Sequence, residues 1–471
     1  MAQHRTQPFS ADSSAATASM SYLPRTPAEG FVRQPSALAP TQEHIWRRYL
    51  RAHQPAALYH ETLTICCPQA LDAASLERCF LEIIRRHEPW RTNFDIREGS
   101  PIQLVQPAAT SVPIAVHDLS ALPADARESE FFGLVNRSAK LPFELRDGSL
   151  FRAALFKMGE DDFRVSVVTH QLILDGISAY QILPFELAAL YAAFSEGRPS
   201  SLPALPTQYS DFSEWHRRFV SGSEQRRQLK YWKSQLKAPL PTHRWPHTYS
   251  PPGTESFRGT TSPFLVPTEL SSRLGEFARA ERASLFMILL GSFASLVRSY
   301  SEQNDLMIAT LSPCGRKHST TLGLLGYFLN PVALRFDFSG GPTFEEFLRQ
   351  VRRVLADAIS HDDVPIENLA EELGINTGRD PIIKVAISLQ PRTPSLDAQW
   401  EVTTMDARDT GSPWDLYLAF IEGSSGLAGR VQYNPDVLKE SEVAEMLRDL
   451  WRVMEAAISN PNVRVAEALR R

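Results

Sequence analysis

The chain is 471 residues long, with 49 Lys and Arg against 54 Asp and Glu, a net charge of −5, an apolar content of 43% and a charged content of 22%. These are the proportions of a globular protein with enough chain for two or three cores. Mild acidity, with basic doublets merely scattered at Arg47-Arg48, Arg217-Arg218, Arg226-Arg227 and Arg352-Arg353, argues against a nucleic-acid binder.

In chain order, the polar, Ser- and Ala-rich opening lacks the apolar stretch of a secretory signal and reads as a disordered tail over residues 1–33. "ALAPTQEHIW" starts a helix, with Thr41 as its expected N-cap. "LYHETLTICC" alternates as a strand, and "DAASLERCFLEIIRRHEPW" is an amphipathic helix with Leu76, Phe80, Ile83 and Ile84 on one face. "SLFRAALFKMGEDDFRVSVVTHQLIL" is an antiparallel hairpin turning at "GEDD". "SAYQILPFELAALYAAF" is helical, and Pro184 predicts a kink near its first turns. Pro-rich stretches on either side of a helical segment ending near Lys237 place a linker and crossover at 206–254, between a lobe at 34–205 and a second at 255–471.

The second half repeats the mixture. "PTELSSRLGEFARAE", "ASLFMILLGSFASLVRSY", "TFEEFLRQVRRVLADAISH" and "SEVAEMLRDLWRVMEAAIS" are helices. "DLMIATLSP", "PVALRFDF", "IIKVAISLQ", "PWDLYLAFIE" and "LAGRVQYN" are strands. This is the pattern of α+β rather than of regular βαβ alternation. Two similar lobes facing across a cleft are expected, with a ligand site between them. No run approaches the ~20 apolar residues needed to span a bilayer. The cysteines Cys66, Cys67, Cys79 and Cys314 lack metal spacing and read as reduced packing thiols, so no metal is implied and a cytoplasmic protein is expected.

Seven stretches, in order along the chain, carry a family resemblance. "THQLILDG" (169–176) resembles the H-H-x-x-x-D-G signature of nonribosomal-peptide-synthetase condensation domains, within the chloramphenicol-acetyltransferase-like superfamily. "LAPTQEHIW" (38–46) resembles S-x-A-Q-x-R-L-W, and "RRHEPWRTNF" (85–94) resembles R-H-E-x-L-R-T-x-F. "YSDFSEWHRRF" (209–219), "LLGYFLNPVALR" (324–335) and "HDDVPIENL" (361–369) resemble the Y-x-D-F-A-x-W, I-G-x-F-V-N-T-x-x-x-R and H-Q-D-x-P-F-E motifs, and "RDPIIKVAISLQ" (379–390) loosely matches the last one. The resemblance implies two chloramphenicol-acetyltransferase-like lobes in a V around a central tunnel. With no adenylation or carrier segment recognisable in it, the chain looks like a free-standing, monomeric condensation-like protein.

In that family the second histidine of the pair points into the tunnel and the aspartate makes a structural ion pair with an arginine. Counting back from Asp175 and Gly176, the first histidine matches His170 and the second matches Gln171. Strand alternation then sends Gln171 toward the tunnel and His170 away from it. Arg91 and Arg335 are the expected partners of Asp175. Gly176 serves a special conformation or a close approach. Ser178 is expected to cap the following helix, and with Tyr327, Asn330, Ser412 and Trp414 to lie along the substrate path. His87, His216 and His361 read as structural.

A carboxamide accepts no proton near neutrality, so general-base help, worth about 10²–10⁴ in rate, is lost unless another group supplies it. An amine acceptor tolerates this better than an alcohol. An α-amino group has a pKa of about 7.7–8.0 and keeps a neutral fraction. Positioning and an amide donor to the oxyanion then remain available. The expected activity is acyl transfer from a thioester on an acyl or peptidyl carrier protein, or on coenzyme A, to a small-molecule amine and less readily to a hydroxyl. Phosphopantetheine would arrive on the donor and not as a bound cofactor. The alternatives are a silent condensation-fold module that holds a carrier protein or recruits a tailoring enzyme, and a non-standard cyclisation or dehydration of a tethered intermediate.

Overall fold

The computed structural model describes residues 33–51, 57–241, 243, 245, 256–374, 383–390, 400–403, 411–423 and 426–469. The expected tail, apart from Arg33, lies outside the described residues, as do 246–255 of the second Pro-rich stretch and the first residues of the 379–390 match.

The N-terminal half is built on a five-stranded sheet, in the spatial order Glu401–Thr403, His60–Cys67, Phe163–His170, Phe151–Lys157, Ala115–Asp118. Cross-strand pairs explain its faces. Leu63 opposes Val167 and Ile65 opposes Val165, burying one face, where Phe80 of the helix Ala73–Arg86 stacks on Phe151. Asp72 caps that helix by accepting from the Ser75 amide at 2.7 Å. The sheet's edge strand comes from the far half of the sequence: Glu401–Thr403 runs antiparallel to Cys66, Ile65 and Thr64.

The C-terminal half carries a six-stranded sheet ordered Asn330–Asp337, Asp305–Ser312, Val385–Gln390, Leu416–Gly423, Gly426–Tyr433, Thr260–Leu265. The helices Leu285–Ser301, Phe344–Ile359 and Glu440–Ser459 bury their apolar faces in the core with it. Two large apolar cores result, one per half, in the α+β class expected. Between the halves in sequence lie two helices, Tyr209–Val220 and Ser223–Gln235. No single described helix is long and apolar enough to cross a membrane.

Pro184 acts as its chemistry requires. The segment Ser178–Ile182 is a π turn, and the α-helix Leu183–Ser195 begins with Pro184 in its first turn, where a missing N–H costs nothing. Thr41 is not the cap of the first helix, Pro40–Arg51, but lies inside it. The Gln42 carboxamide does the work instead: it accepts from the Ala39 amide at 3.0 Å and donates to the Leu172 carbonyl at 2.7 Å, tying this helix to the turn that carries the site.

Candidate active site

The strand Phe163–His170 ends in a 3₁₀ turn, Gln171–Ile173, and the chain then runs through Asp175 into a helical segment that opens at Gly176. His170 opposes His60 across the sheet, while Glu61 opposes Thr169. Alternation therefore puts His60 and His170 on one face, and Glu61, Thr169 and Gln171 on the other.

His170 is wholly buried, its ring edge-on to Tyr49, Tyr59, His60 and Phe143 at centroid distances of 5.5–6.5 Å. Its Nδ1 accepts from the Leu172 amide at 3.2 Å, so the neutral ring carries its proton on Nε2. Burial, with His60 beside it, pushes its pKa well below the ordinary histidine range. It is a packing residue and lines no cavity among those described.

Gln171 lines a cavity between the two halves, together with Glu61, Tyr327, Gln390, Trp414 and Arg430. Its amide nitrogen donates to the Glu61 carboxylate, and because a carboxylate only accepts, that contact fixes which end of the amide is which. Arg430, from the opposite half, faces the other Glu61 oxygen at 3.4 Å. The cavity is narrow, about 80 Å³. Gly176 forms part of its wall, and a Cβ there would stand 2.6 Å from the Gln390 amide nitrogen. Of the two roles expected for this glycine, the close approach is the one the structure uses.

Asp175 pairs with neither Arg91 nor Arg335. Its partner is Arg316, in a buried fork with Nη2 to Oδ1 at 2.9 Å and Nε to Oδ2 at 3.2 Å. The carboxylate also accepts from the amides of Ser178 at 2.7 Å and Phe328 at 3.2 Å. Arg316 completes its donor set on the carbonyls of Thr321 and Leu324 and on the Ser178 hydroxyl. Arg335 lies elsewhere, paired with Asp305 and donating to the carbonyls of Lys237 and Pro239, and Arg91 donates to the Gln106 carbonyl at 2.6 Å.

The five residues expected along the substrate path separate. Tyr327 and Trp414 line the cavity, Tyr327 with its hydroxyl 3.2 Å from His44 Nε2 and Trp414 with Arg48 over its ring. Ser178 does not line it and does not cap its own helix. Asp175 does the capping, and the Ser178 hydroxyl instead bridges to the backbone of Gly326 in the other half. Asn330 is turned away, donating to the carbonyls of Asp362 and Val364 at 2.6 and 2.9 Å. The Ser412 hydroxyl is bound to the backbone of Trp414. The three structural histidines also have partners away from the cavity: His87 on Glu186, His216 on the Asp363 carbonyl, His361 stacked on Tyr231.

Glu61, Arg430, Gln390 and Arg316 went unmarked in the sequence. The signal for Glu61 was present, the one charged residue in the strand His60–Cys67. Its meaning depends on the pairing of that strand with the one ending at His170, 110 residues away in sequence.

Comparison with known proteins gives the family. The condensation-domain model matches residues 32–469. The chain is 36% identical over 401 residues to chondramide synthase cmdD of Chondromyces crocatus, which covers 84% of this chain and 10% of that protein. It is 33% identical over 437 residues to a linear gramicidin synthase of Brevibacillus parabrevis, covering 91% of this chain and 8% of that one. The chain thus spans about a tenth or less of the length of these relatives. Among solved structures, the first condensation domain of the CDA synthetase superposes with a TM-score of 0.81 at 19% identity, covering 92% of this chain and 98% of that one. The X-domain from teicoplanin biosynthesis does so at 0.79 and 24%, covering 93% and 99%. It is also known in a complex with OxyB. The structures match the fold, the relatives match the sequence along nearly its whole described length, and the chain belongs to the condensation-domain family.

Proposed function

We propose that the chain is an amide-forming acyltransferase, moving an acyl group from a phosphopantetheine thioester on a carrier protein, or from coenzyme A, to a small-molecule amine, with Gln171 beside the reacting atoms. The observation that carries this reading is the placement of Gln171: a polar side chain on the cavity face, in the cavity that Asp175 and Gly176 also line, where both halves meet.

The chemistry fits what a carboxamide can do. One amide hydrogen is used on Glu61, and the second is available to the thioester oxygen as it gains negative charge. The amine attacks in its neutral form, the C–N bond forms, the C–S bond breaks, and the amine proton ends on the departing thiolate. Approximation of the two reactants supplies most of the acceleration. The cavity of about 80 Å³ is small beside the roughly 300–1,000 Å³ of a typical ligand cleft.

That narrowness favours a second reading, in which the fold is a silent platform that binds a carrier protein or recruits another enzyme. Intact-mass analysis of a loaded carrier protein with a panel of amine acceptors, for wild type, Gln171→Ala and Gln171→His, separates the two. Under the transferase reading the wild type forms product and Gln171→Ala loses about 100- to 1,000-fold. Product that appears only with Gln171→His identifies a silenced site.

A further inference from the structure

We propose that Glu61 receives the acceptor's amino group and is the anionic partner of the nitrogen throughout acyl transfer. This rests on the transferase reading above and adds a group that neither the signature motif nor the family comparison assigns.

The cavity's charges single out one carboxylate. Its described carboxylates are Glu61 and Asp175. Asp175 is fully engaged by Arg316 and by the amides of Ser178 and Phe328. Glu61 keeps acceptor capacity. One oxygen takes the Gln171 amide, and the other faces Arg430 at 3.4 Å, longer than the 2.7–2.9 Å of a tight charge-assisted bond. An ionised carboxylate offers about four acceptor sites, so a third donor can join without displacing either neighbour.

The other titratable groups facing this space do not compete for the role. His44 and His60 are held neutral by burial, at about 3 and about 4. His44 Nε2 is already engaged by the Tyr327 hydroxyl, and the His60 ring belongs to the opposite face, its Nδ1 on the Ala139 carbonyl at 2.7 Å. Arg48 and Arg430 are cations and repel an ammonium. Tyr59, Tyr327 and Tyr417 are phenols and carry no negative charge at neutral pH.

The role follows the balance of the reaction. In water near neutrality much of an α-amine is ammonium, so a carboxylate beside Gln171 draws that form into the cavity. Loss of one proton to solvent water gives the neutral amine, the nucleophile, and leaves Glu61 ionised. Attack on the thioester carbon produces an adduct positive at nitrogen and negative at oxygen. Glu61 faces the nitrogen and the second Gln171 N–H faces the oxygen, so the two side chains that touch each other stabilise opposite ends of one dipole. Collapse expels the thiolate, which takes up the nitrogen's proton.

The test compares two probes of one shape, the N-acetylcysteamine thioester of an α-amino acid and that of the matching α-hydroxy acid, on wild type, Glu61→Gln and Glu61→Asp. Calorimetric binding is measured alongside acyl transfer, because it reads Glu61 even if turnover fails. Wild type is expected to bind the amino probe roughly 10- to 100-fold more tightly than the hydroxy probe, and Glu61→Gln to abolish that preference. The preference should fade in wild type as pH rises past about 8, where the amine loses its proton. Glu61→Asp should restore part of it, and carries the comparison if Glu61→Gln does not fold. Equal binding of the two probes by wild type, or an undiminished preference in Glu61→Gln, overturns the inference. A Glu61-dependent amine preference without transfer by wild type or Gln171→His would uphold Glu61 as an amine site and overturn the transferase reading alone.

Discussion

At the residue scale, the site turns on which side of a strand each neighbour occupies. His170 and Gln171 are adjacent in sequence, yet one is sealed among aromatic rings and the other lines the cavity. Alternation makes this legible from the sequence, because the motif fixes the register and the period of two does the rest. Gly176 was legible as a glycine with a purpose, but the purpose needed Gln390, which only folding brings there. Gly176→Ala is expected to leave stability within about 1 kcal/mol of wild type, since the added methyl meets only the end of a flexible side chain. It should nevertheless lower acyl transfer by forcing Gln390 into the cavity, and Gln390→Ala in the same chain should restore it. Thermal melts and intact-mass assays of the single and double variants check both halves of this expectation.

At the element scale, the helices and strands follow from periodicity and punctuation, while their fastenings do not. The loop after Phe344–Ile359 is the clearest case. Its Asp362 is wholly buried, bonded to the Ser312 hydroxyl and the Lys317 ammonium, with Asn330 donating to the carbonyls of Asp362 and Val364. The indole of Trp232 donates to the His361 carbonyl at 2.7 Å, and Gln228 brackets Asp363. Burial outweighs the Lys317 attraction and lifts the Asp362 carboxyl to about 6. A folded-state pKa above the ordinary 3.8 means that the folded protein holds this proton more tightly. The associated stability is fully present below about pH 4 and is lost as pH rises through about 6. Asp362→Asn removes that dependence. Its melting temperature relative to wild type should therefore climb between pH 4 and pH 7, by the equivalent of about 2–3 kcal/mol. A pH-independent difference between the two proteins would refute the assignment.

At the scale of the whole molecule, the halves are joined by buried contacts rather than by the linker alone. Arg316 and Asp175 meet across 141 positions of sequence, Ser178 bonds Gly326, and the Leu325 amide donates to His87. Gly326 is needed for this approach, since a Cβ there would lie 2.4 Å from the ring of Tyr209, which is itself buried. The far half also lends an edge strand to the near sheet. Removing Arg316 leaves the Asp175 charge buried without its partner, so Arg316→Met should cost about 3–5 kcal/mol. It should also split a single calorimetric transition into two as the cores uncouple. Arg335→Met, at a more exposed pair, should cost about 1 kcal/mol and leave one transition. Equal effects of the two variants would contradict the placement of the ion pair.

Read residue by residue, the chain already carried the α+β class, the element types over most of its described length, the motif order that marks the family, and the turn of Gln171 away from the face of His170. Each is a local property, held in the spacing of apolar residues or in a short motif read in one register. Folding settled who partners whom: Arg316 rather than Arg91 or Arg335 for Asp175, the inter-half bridge rather than the substrate path for Ser178, the loop at Asp362 rather than the cavity for Asn330, and Glu61 against Gln171. A buried charge takes whichever counter-charge the packing of two cores delivers within about 3 Å. That distance is set by contacts among many residues far apart in the chain, and no stretch of sequence records it.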